Sequence, residues 1–280
     1  MERSRQAGES SVPYLAICAI YRDVASYLAE WIEFHRLVGV ERFYLYDNGS
    51  VDEHREVLAP YLESGVATVT EWPEFPGQTT AYKHCLSQGP RSRWIAFIDT
   101  DEFLFSPTLR PLPDVLVEYE RWPAVVVNWA VFGHSGHCDR PPGLVIESYL
   151  RRASDQAPIN SFVKSIVDPA RTIGCRRDTS VHIFTFSEGS PVDEQRGERP
   201  DVRAKVEPVS FSRLRINHYF TKSEAEWREK SSKPMAANGK MRGTEIQEDL
   251  DAVRDETITA YVPALRAALA DIAGSRVHAE

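Results

Sequence analysis

The chain has 280 residues, of which 42% are hydrophobic and 26% charged, and its 41 acidic and 33 basic side chains leave a net charge of −8. These values belong to a soluble globular protein of one large or two small domains, and they exclude a disordered, collagen-like or multi-span membrane chain. The acidic balance argues against general nucleic-acid binding.

Four cysteines, at 18, 85, 138 and 175, show no C-x-x-C spacing. A chain of this size needs no disulfide framework, so a reducing, cytoplasmic setting is expected. The longest apolar run is about seven residues, far short of the roughly 20 that span a bilayer. The first dozen residues lack the apolar stretch of a signal peptide. No transmembrane segment is expected, and peripheral membrane contact is allowed.

The predicted elements alternate through the first hundred residues. A continuous apolar strand covers 14–20. A helix over 24–38 carries Tyr27, Leu28, Trp31, Ile32, His35 and Val38 on one face, and Gly39 stops it. Strand 42–46 follows. Ser50-Val-Asp-Glu53 has the form of a capping box opening a helix to about Glu63. Strand 66–70, a helix over 79–87 and strand 94–98 complete the series. Such alternation implies a mostly parallel sheet flanked by helices, the α/β class.

The second half is less regular. A helix is read over 113–121 and a buried strand over 124–131. The loop 133–143 holds two His, three Gly and two Pro. Strands are read over 161–167, 181–186 and 211–220. The charged stretch 187–208 reads as a mobile excursion. Thr221-Lys-Ser-Glu224 and Thr244-Glu-Ile-Gln247 are two more capping boxes, the second before a C-terminal helical stretch broken by Pro263.

Ligands of parallel α/β sheets bind beyond the carboxyl ends of the strands. The densest signal there is Trp94-Ile-Ala-Phe-Ile-Asp-Thr-Asp-Glu-Phe-Leu-Phe105, a buried strand ending in three acids within four residues. Crowded carboxylates repel one another and resist desolvation, and a hard divalent cation such as Mg²⁺ or Mn²⁺ relieves both penalties. A solvated strand end with a helix cap is the competing reading. Asp47-Asn48-Gly49-Ser50 ends the second strand, where Gly49 permits φ > 0 and close approach of a ligand; a plain turn is the alternative. Tyr21-Arg22-Asp23 offers an aromatic face and a cation, or again a turn. His182 and His218 lie in apolar strands, as core residues or as ligands, and His35 on its apolar helix face is read as structural.

Five blocks in order resemble glycosyltransferase family 92. They are Glu30–Ser50, Trp94–Phe105, Asn128–His137, Val163–Val167 and Ile216–Ser223, so the resemblance covers roughly residues 14–230. It implies a GT-A fold, Rossmann-like, with a donor half over 13–105 and an acceptor half over 106–230. A flexible tail (1–12) would precede it and a C-terminal helical extension (231–280) follow it. It implies transfer of a hexose, galactose first, from a UDP-sugar to a glycan or other hydroxyl acceptor with inversion, using Mn²⁺ or Mg²⁺. The metal set then reads Asp99, Asp101 and His218, with His182 in reserve. The donor set reads Tyr21, Arg22, Asp47, Asn48, Ser50, Lys83, Asp99 and Lys222, with Lys230 also within reach of the diphosphate. Inverting displacement needs a general base; Glu147 and Asp193 are the first candidates, ahead of Glu194 and His137. A nucleotidyltransferase acting on sugar phosphates is disfavoured because Ala19-Ile-Tyr-Arg-Asp23 lacks a glycine-rich phosphate loop. A non-catalytic sugar-nucleotide-binding protein is the other alternative.

Overall fold

A computed structural model describes residues 12–89, 91–176, 180–243 and 248–277. Its elements are β1 (Leu15–Tyr21), α1 (Ala25–Leu37), β2 (Arg42–Asp47), α2 (His54–Glu63), β3 (Ala67–Glu71), α3 (Gln78–Ser87), β4 (Trp94–Phe97), β5 (Glu102–Phe105), α4 (Leu112–Leu116), β6 (Ala124–Phe132), α5 (Val145–Ser148) and β7 (Arg151–Arg152). There follow β8 (Val163–Val167), β9 (Thr172–Cys175), β10 (Phe184–Phe186), β11 (Val192–Asp193), β12 (Arg215–Tyr219), α6 (Glu224–Ser231), β13 (Val253–Arg254) and α7 (Val262–Val277).

The four strands expected from the alternation pair in parallel in the order β3–β2–β1–β4. β1 is apolar throughout because both its faces are covered. Leu15, Ile17, Ala19 and Tyr21 join the core that contains Leu28, Trp31, Ile32 and Phe34 of α1. Ala16, Cys18 and Ile20 join the core that contains Ala81, Tyr82 and Cys85 of α3. The fold is α/β, in the GT-A arrangement that the resemblance implies. The C-terminal helix α7 belongs to the first core through Leu265, and Tyr261 just before it meets Phe34 at 5.3 Å.

Beyond β4 the sheet becomes mixed. β8 lies antiparallel between β4 and β6. β6 is long enough to serve several partners, β8 and β12 most extensively. Its first half, Ala124 to Asn128, pairs with β8, and its second half, Trp129 to Phe132, pairs in parallel with β12. β12 in turn pairs antiparallel with β5, setting His218 opposite Glu102. The sheet thus divides around the turn 98–101 between β4 and β5, with β8 on one side of that turn and β12 on the other.

Several elements differ from expectation. α2 starts at His54 with no side-chain cap; Ser50 instead accepts from the Asp23 backbone N–H at 3.1 Å, so its hydroxyl is taken. The reciprocal capping box of α6 is Ser223–Glu226, two residues later than the Thr221 pattern, because Ser223 holds the extended backbone an N-cap needs. The helix expected over 113–121 divides into α4 and a 3-10 turn over Val117–Tyr119. The stretch 187–208 is tied down: Asp193 and Glu194 are buried, and β11 pairs with β6. Pro263 is the second residue of α7 and opens that helix without breaking it. The box over 244–247 lies outside the described residues.

Candidate active site at the carboxyl edge of the sheet

The acidic turn is held from behind by α1. Trp31 donates its indole N–H to the Glu102 carbonyl at 2.8 Å, and His35 Nε2 accepts the Leu104 backbone N–H at 3.1 Å. His35 Nδ1 lies 2.8 Å from the Trp31 carbonyl, which can only accept, so Nδ1 carries the proton. Burial lowers the His35 pKa to about 3, keeping the ring neutral.

The turn itself displays two ion-paired acids. Asp99 receives the Gln78 side-chain amide at 2.8 Å on one oxygen and the Lys164 ammonium at 2.5 Å on the other. Lys164 is 1% exposed, and it also lies 3.3 Å from Glu102 Oε2 and 3.1 Å from His182 Nε2. Burial alone would raise the Asp99 pKa; Lys164, and then His182, outweigh it and hold the carboxyl below its ordinary range. Burial pushes Glu102 well above the usual carboxylate range, against the pull of Lys164. Burial, reinforced by Lys164, lowers His182 to about 3.

Asp101 faces the other way. Its Oδ2 lies 2.6 Å from Lys230 Nζ and 3.6 Å from His218 Nε2. Burial opposes ionisation here too, but Lys230 and His218 hold the carboxyl well below the ordinary range. The backbone fixes this meeting, since the Tyr219 N–H donates to the Asp101 carbonyl at 2.9 Å. The His218 ring sits edge-on to Trp129 at 4.4 Å and to Phe220 at 5.3 Å, and burial lowers its pKa, so it is a neutral donor of electrons at neutral pH. Lys222 adopts φ 54° and rests its ammonium 3.3 Å over the Tyr27 ring. Burial lowers its pKa to about 8, against the pull of Asp101.

Asp101 and His218 therefore suit a divalent ion as two protein ligands, the number such ions often take alongside substrate phosphates and water. No group of three or more His, Cys, Asp or Glu suited to a metal occurs among the described residues. Asp99, expected as a third ligand, has both oxygens occupied by Gln78 and Lys164.

The residues expected at the donor end gather at the ends of β1 and β2, though several are spent locally. Asp47 is buried; its Oδ1 accepts the Ser50 N–H at 2.9 Å and its Oδ2 lies 3.5 Å from His54 Nε2. Asn48 braces the loop after β3, donating to the Trp72 and Glu74 carbonyls at 2.6 and 2.9 Å. Tyr21 is buried against the edge of the His54 ring, and its hydroxyl has no hydrogen-bond partner among the described residues. Arg22 is exposed beside Asp23. Lys83 is exposed on α3, whose inward residues are Gln78, Tyr82 and their neighbours.

Both base candidates are already engaged by other groups. Glu147 pairs with Arg266 at 2.5 Å and caps the Leu144 N–H. Asp193 is bound by Arg199 and by the backbone N–H groups of Gln195 and Gly197. It aligns with Val126, five residues before the Val131 that aligns with His218, or roughly 16 Å along β6. Glu194 is buried under backbone and hydroxyl donors, and His137 Nε2 is 3.1 Å from the Ser148 carbonyl.

Sequence reasoning assigned no role to Lys164, Gln78 or His54. The available signal for Lys164 was a lysine within the otherwise apolar strand Val163-Lys-Ser-Ile-Val167, where an unpaired ammonium would be costly.

An α/β sheet with acids and lysines converging at its carboxyl edge is an architecture of the glycosyltransferase class. The chain belongs to glycosyltransferase family 92, whose sequence model matches residues 14–254, past the 230 at which the resemblance in the sequence stops. Membership places it among glycosyltransferase enzymes. It is 35% identical over 181 residues to a family 92 protein of Oryza sativa subsp. japonica, covering 62% of this chain and 30% of that one. It is 33% identical over 106 residues to the galactan beta-1,4-galactosyltransferase GALS2 of Arabidopsis thaliana, covering 34% of this chain and 20% of that one. The chain thus spans under a third of the length of these relatives. Among solved structures, S. aureus TarS 1-349 overlays on 56% of this chain and 47% of its own, at 12% identity and a TM-score of 0.39. The cysteines form no disulfide among the described residues, and no helix among them is long and apolar enough to cross a membrane.

Proposed function

We propose that this domain transfers a hexose, galactose first, from a UDP-sugar to a hydroxyl of a glycan or similar acceptor, with inversion and with Mn²⁺ or Mg²⁺. The observation that carries the reading is the convergence of Asp101, His218, Lys230 and Lys222 at one sheet edge. The leaving group of such a transfer is a nucleoside diphosphate, and stabilising its growing charge is the main catalytic task. Lys230 is a ready cation on a short helix; Lys222 is held over Tyr27 beside it. Asp101 and His218 would hold the ion, which when bound supplies further positive charge against the diphosphate. Asp47, Tyr21 and Arg22 stand at the ends of adjacent strands, where the uridine would lie. The GALS2 relative supports galactose, and the undisulfided cysteines suit a cytoplasmic setting.

The test is calorimetric titration of UDP-galactose into the protein with Mn²⁺ and with EDTA, in wild type and Asp101→Ala. Binding that needs Mn²⁺ and disappears in the variant, with the unliganded melting temperature kept, is the expected result. Equal binding in EDTA, or undiminished binding by Asp101→Ala, would refute the reading.

A further inference from the structure

We infer that a cleft beside β6 and β7 is the acceptor subsite, binding an uncharged hexose oligosaccharide whose end reaches the acidic turn. The inference rests on the glycosyl transfer proposed above and adds to it where the acceptor lies and what chemistry holds it.

The cleft has a volume of about 720 Å³, within the roughly 300–1,000 Å³ of ordinary ligand pockets. Ile159, Phe162 and Leu250 give it an apolar lining, and Gln156, Lys205 and Asp249 a polar one. Its charged lining among the described residues is one lysine and one aspartate, which suits a ligand that is neither anionic nor wholly apolar. A sugar ring has that dual character, with hydroxyls at its rim and C–H faces that pack on aromatic rings. Phe162 is half-buried, and the exposed Lys205 rests its ammonium 4.6 Å from the centre of that ring. A sugar stacked on Phe162 can take over this face and leave the ammonium to donate to its hydroxyls.

The cleft shares a sheet face with His218. Ala153, in the cleft wall, donates its N–H to the Val131 carbonyl at 2.8 Å, and Val131 is directly opposite His218 in the ladder of β6 and β12. Two strand spacings put this wall roughly 10 Å from His218 along the sheet. Val131, Ala153 and Leu250 form one buried cluster, against which Trp129, Ile159 and Phe220 pack. Trp129 and Phe220 are the rings that flank His218 at 4.4 and 5.3 Å, and Trp129 meets Phe162 at 5.4 Å. One aromatic ring thus stands between His218 and the Phe162 lining. In the sheet order β7–β6–β8–β4–β1–β2, the cleft lies on one side of β4, and the donor-end residues at β1 and β2 lie on the other. Substrates approaching from opposite flanks meet at the turn 98–101, which is the placement a direct displacement between them needs.

The experiment follows the indole N–H signals of the six tryptophans by NMR as cellotetraose, maltotetraose and a β-galactotetraose are titrated in turn, first alone and then with UDP and Mg²⁺. Trp129→Phe identifies the Trp129 signal, which is a sensitive reporter because its indole N–H has no hydrogen-bond partner among the described residues. At least one tetrasaccharide should shift this signal saturably. Phe162→Leu keeps an apolar side chain but removes the ring, and should weaken that binding about tenfold, as truncation of an aromatic anchor commonly does. The same variant should bind UDP as wild type does. No shift with any of the three sugars, with or without UDP, overturns the inference, as does a shift whose affinity Phe162→Leu leaves unchanged. A Trp129 shift produced by the apolar dye ANS and by none of the sugars overturns it in favour of an apolar partner. Failure of the wild type to bind UDP would count against the proposed function, while the nucleotide-free titration still decides what the cleft binds. The wild-type titration stands without the variant, so misfolding of Phe162→Leu does not shield the inference.

Discussion

The histidine behind the acidic turn makes stability depend on pH in a calculable way. His35 is fully buried and neutral, with a folded pKa near 3 against an ordinary value of 6.5. Between those values the unfolded chain binds a proton at this position and the folded chain does not. Stability from His35 is therefore complete above about pH 6.5 and is lost as the pH falls towards 3. At pH 4.5, two pH units below the unfolded value, the loss is about 3 kcal/mol at roughly 1.4 kcal/mol per unit. Urea unfolding followed by tryptophan fluorescence at pH 7 and 4.5 measures it, with His35→Gln as the reference that cannot titrate. The variant retains an acceptor for the Leu104 N–H but loses ring packing, and should be roughly 1–3 kcal/mol less stable at pH 7. That gap should shrink by about 3 kcal/mol at pH 4.5. A gap constant to within about 0.5 kcal/mol would show that the ring is protonated in the folded state or exchanges with solvent, and the assignment of its two nitrogens would fall with it.

Lys164→Met leaves Asp99 and Glu102 buried without their cation, and should cost roughly 3–5 kcal/mol, read as a large fall in melting temperature; an unchanged melting temperature would contradict the pairing. Glu226→Ala removes the N-cap partner of Ser223 and the acceptor of the Tyr27 and Tyr149 hydroxyls. A loss of about 2 kcal/mol in urea unfolding is expected, with a raised KM for donor as Tyr27 loosens beneath Lys222. Gly39→Ala should destabilise by about 2 kcal/mol or more in the same assay, because Gly39 has φ +103° and a Cβ there would stand 2.5 Å from Pro113 Cδ.

The donor half was legible because its signals are local and repetitive. β1, β2 and β4 are short, largely apolar runs and β3 a short alternating one, with helices between them, and that alternation leaves few topologies open. Gly39 likewise announced the end of α1. The later half was harder because its pairings join distant segments: β6 divides between β8 and β12, and no periodicity records that. The acids Asp99 and Asp101 were visible as a cluster, but their different commitments were not. Asp99 has both oxygens occupied by Lys164 and Gln78, 65 and 21 residues away in sequence, whereas Asp101 is met by Lys230, 129 residues away. The same holds for Glu147 and Asp193, carboxylates that look available until Arg266 and Arg199 are brought to them.

The placement of β8 bears on how this chain can be made and cut. β4 has β1 on one side, supplied before it in synthesis, and β8 on the other, supplied some 65 residues after it. Until Val163–Val167 emerges from the ribosome, the backbone of Ile95 to Phe97 is an open sheet edge, and the neighbouring carboxylates have no counter-charge from Lys164. Open apolar edges of this kind recruit other chains. A fragment ending near residue 105 would carry both faults permanently, so the first half is not an autonomous folding unit, however complete its strand–helix pattern looks. Excision or fusion boundaries belong outside the segment from β1 to β12.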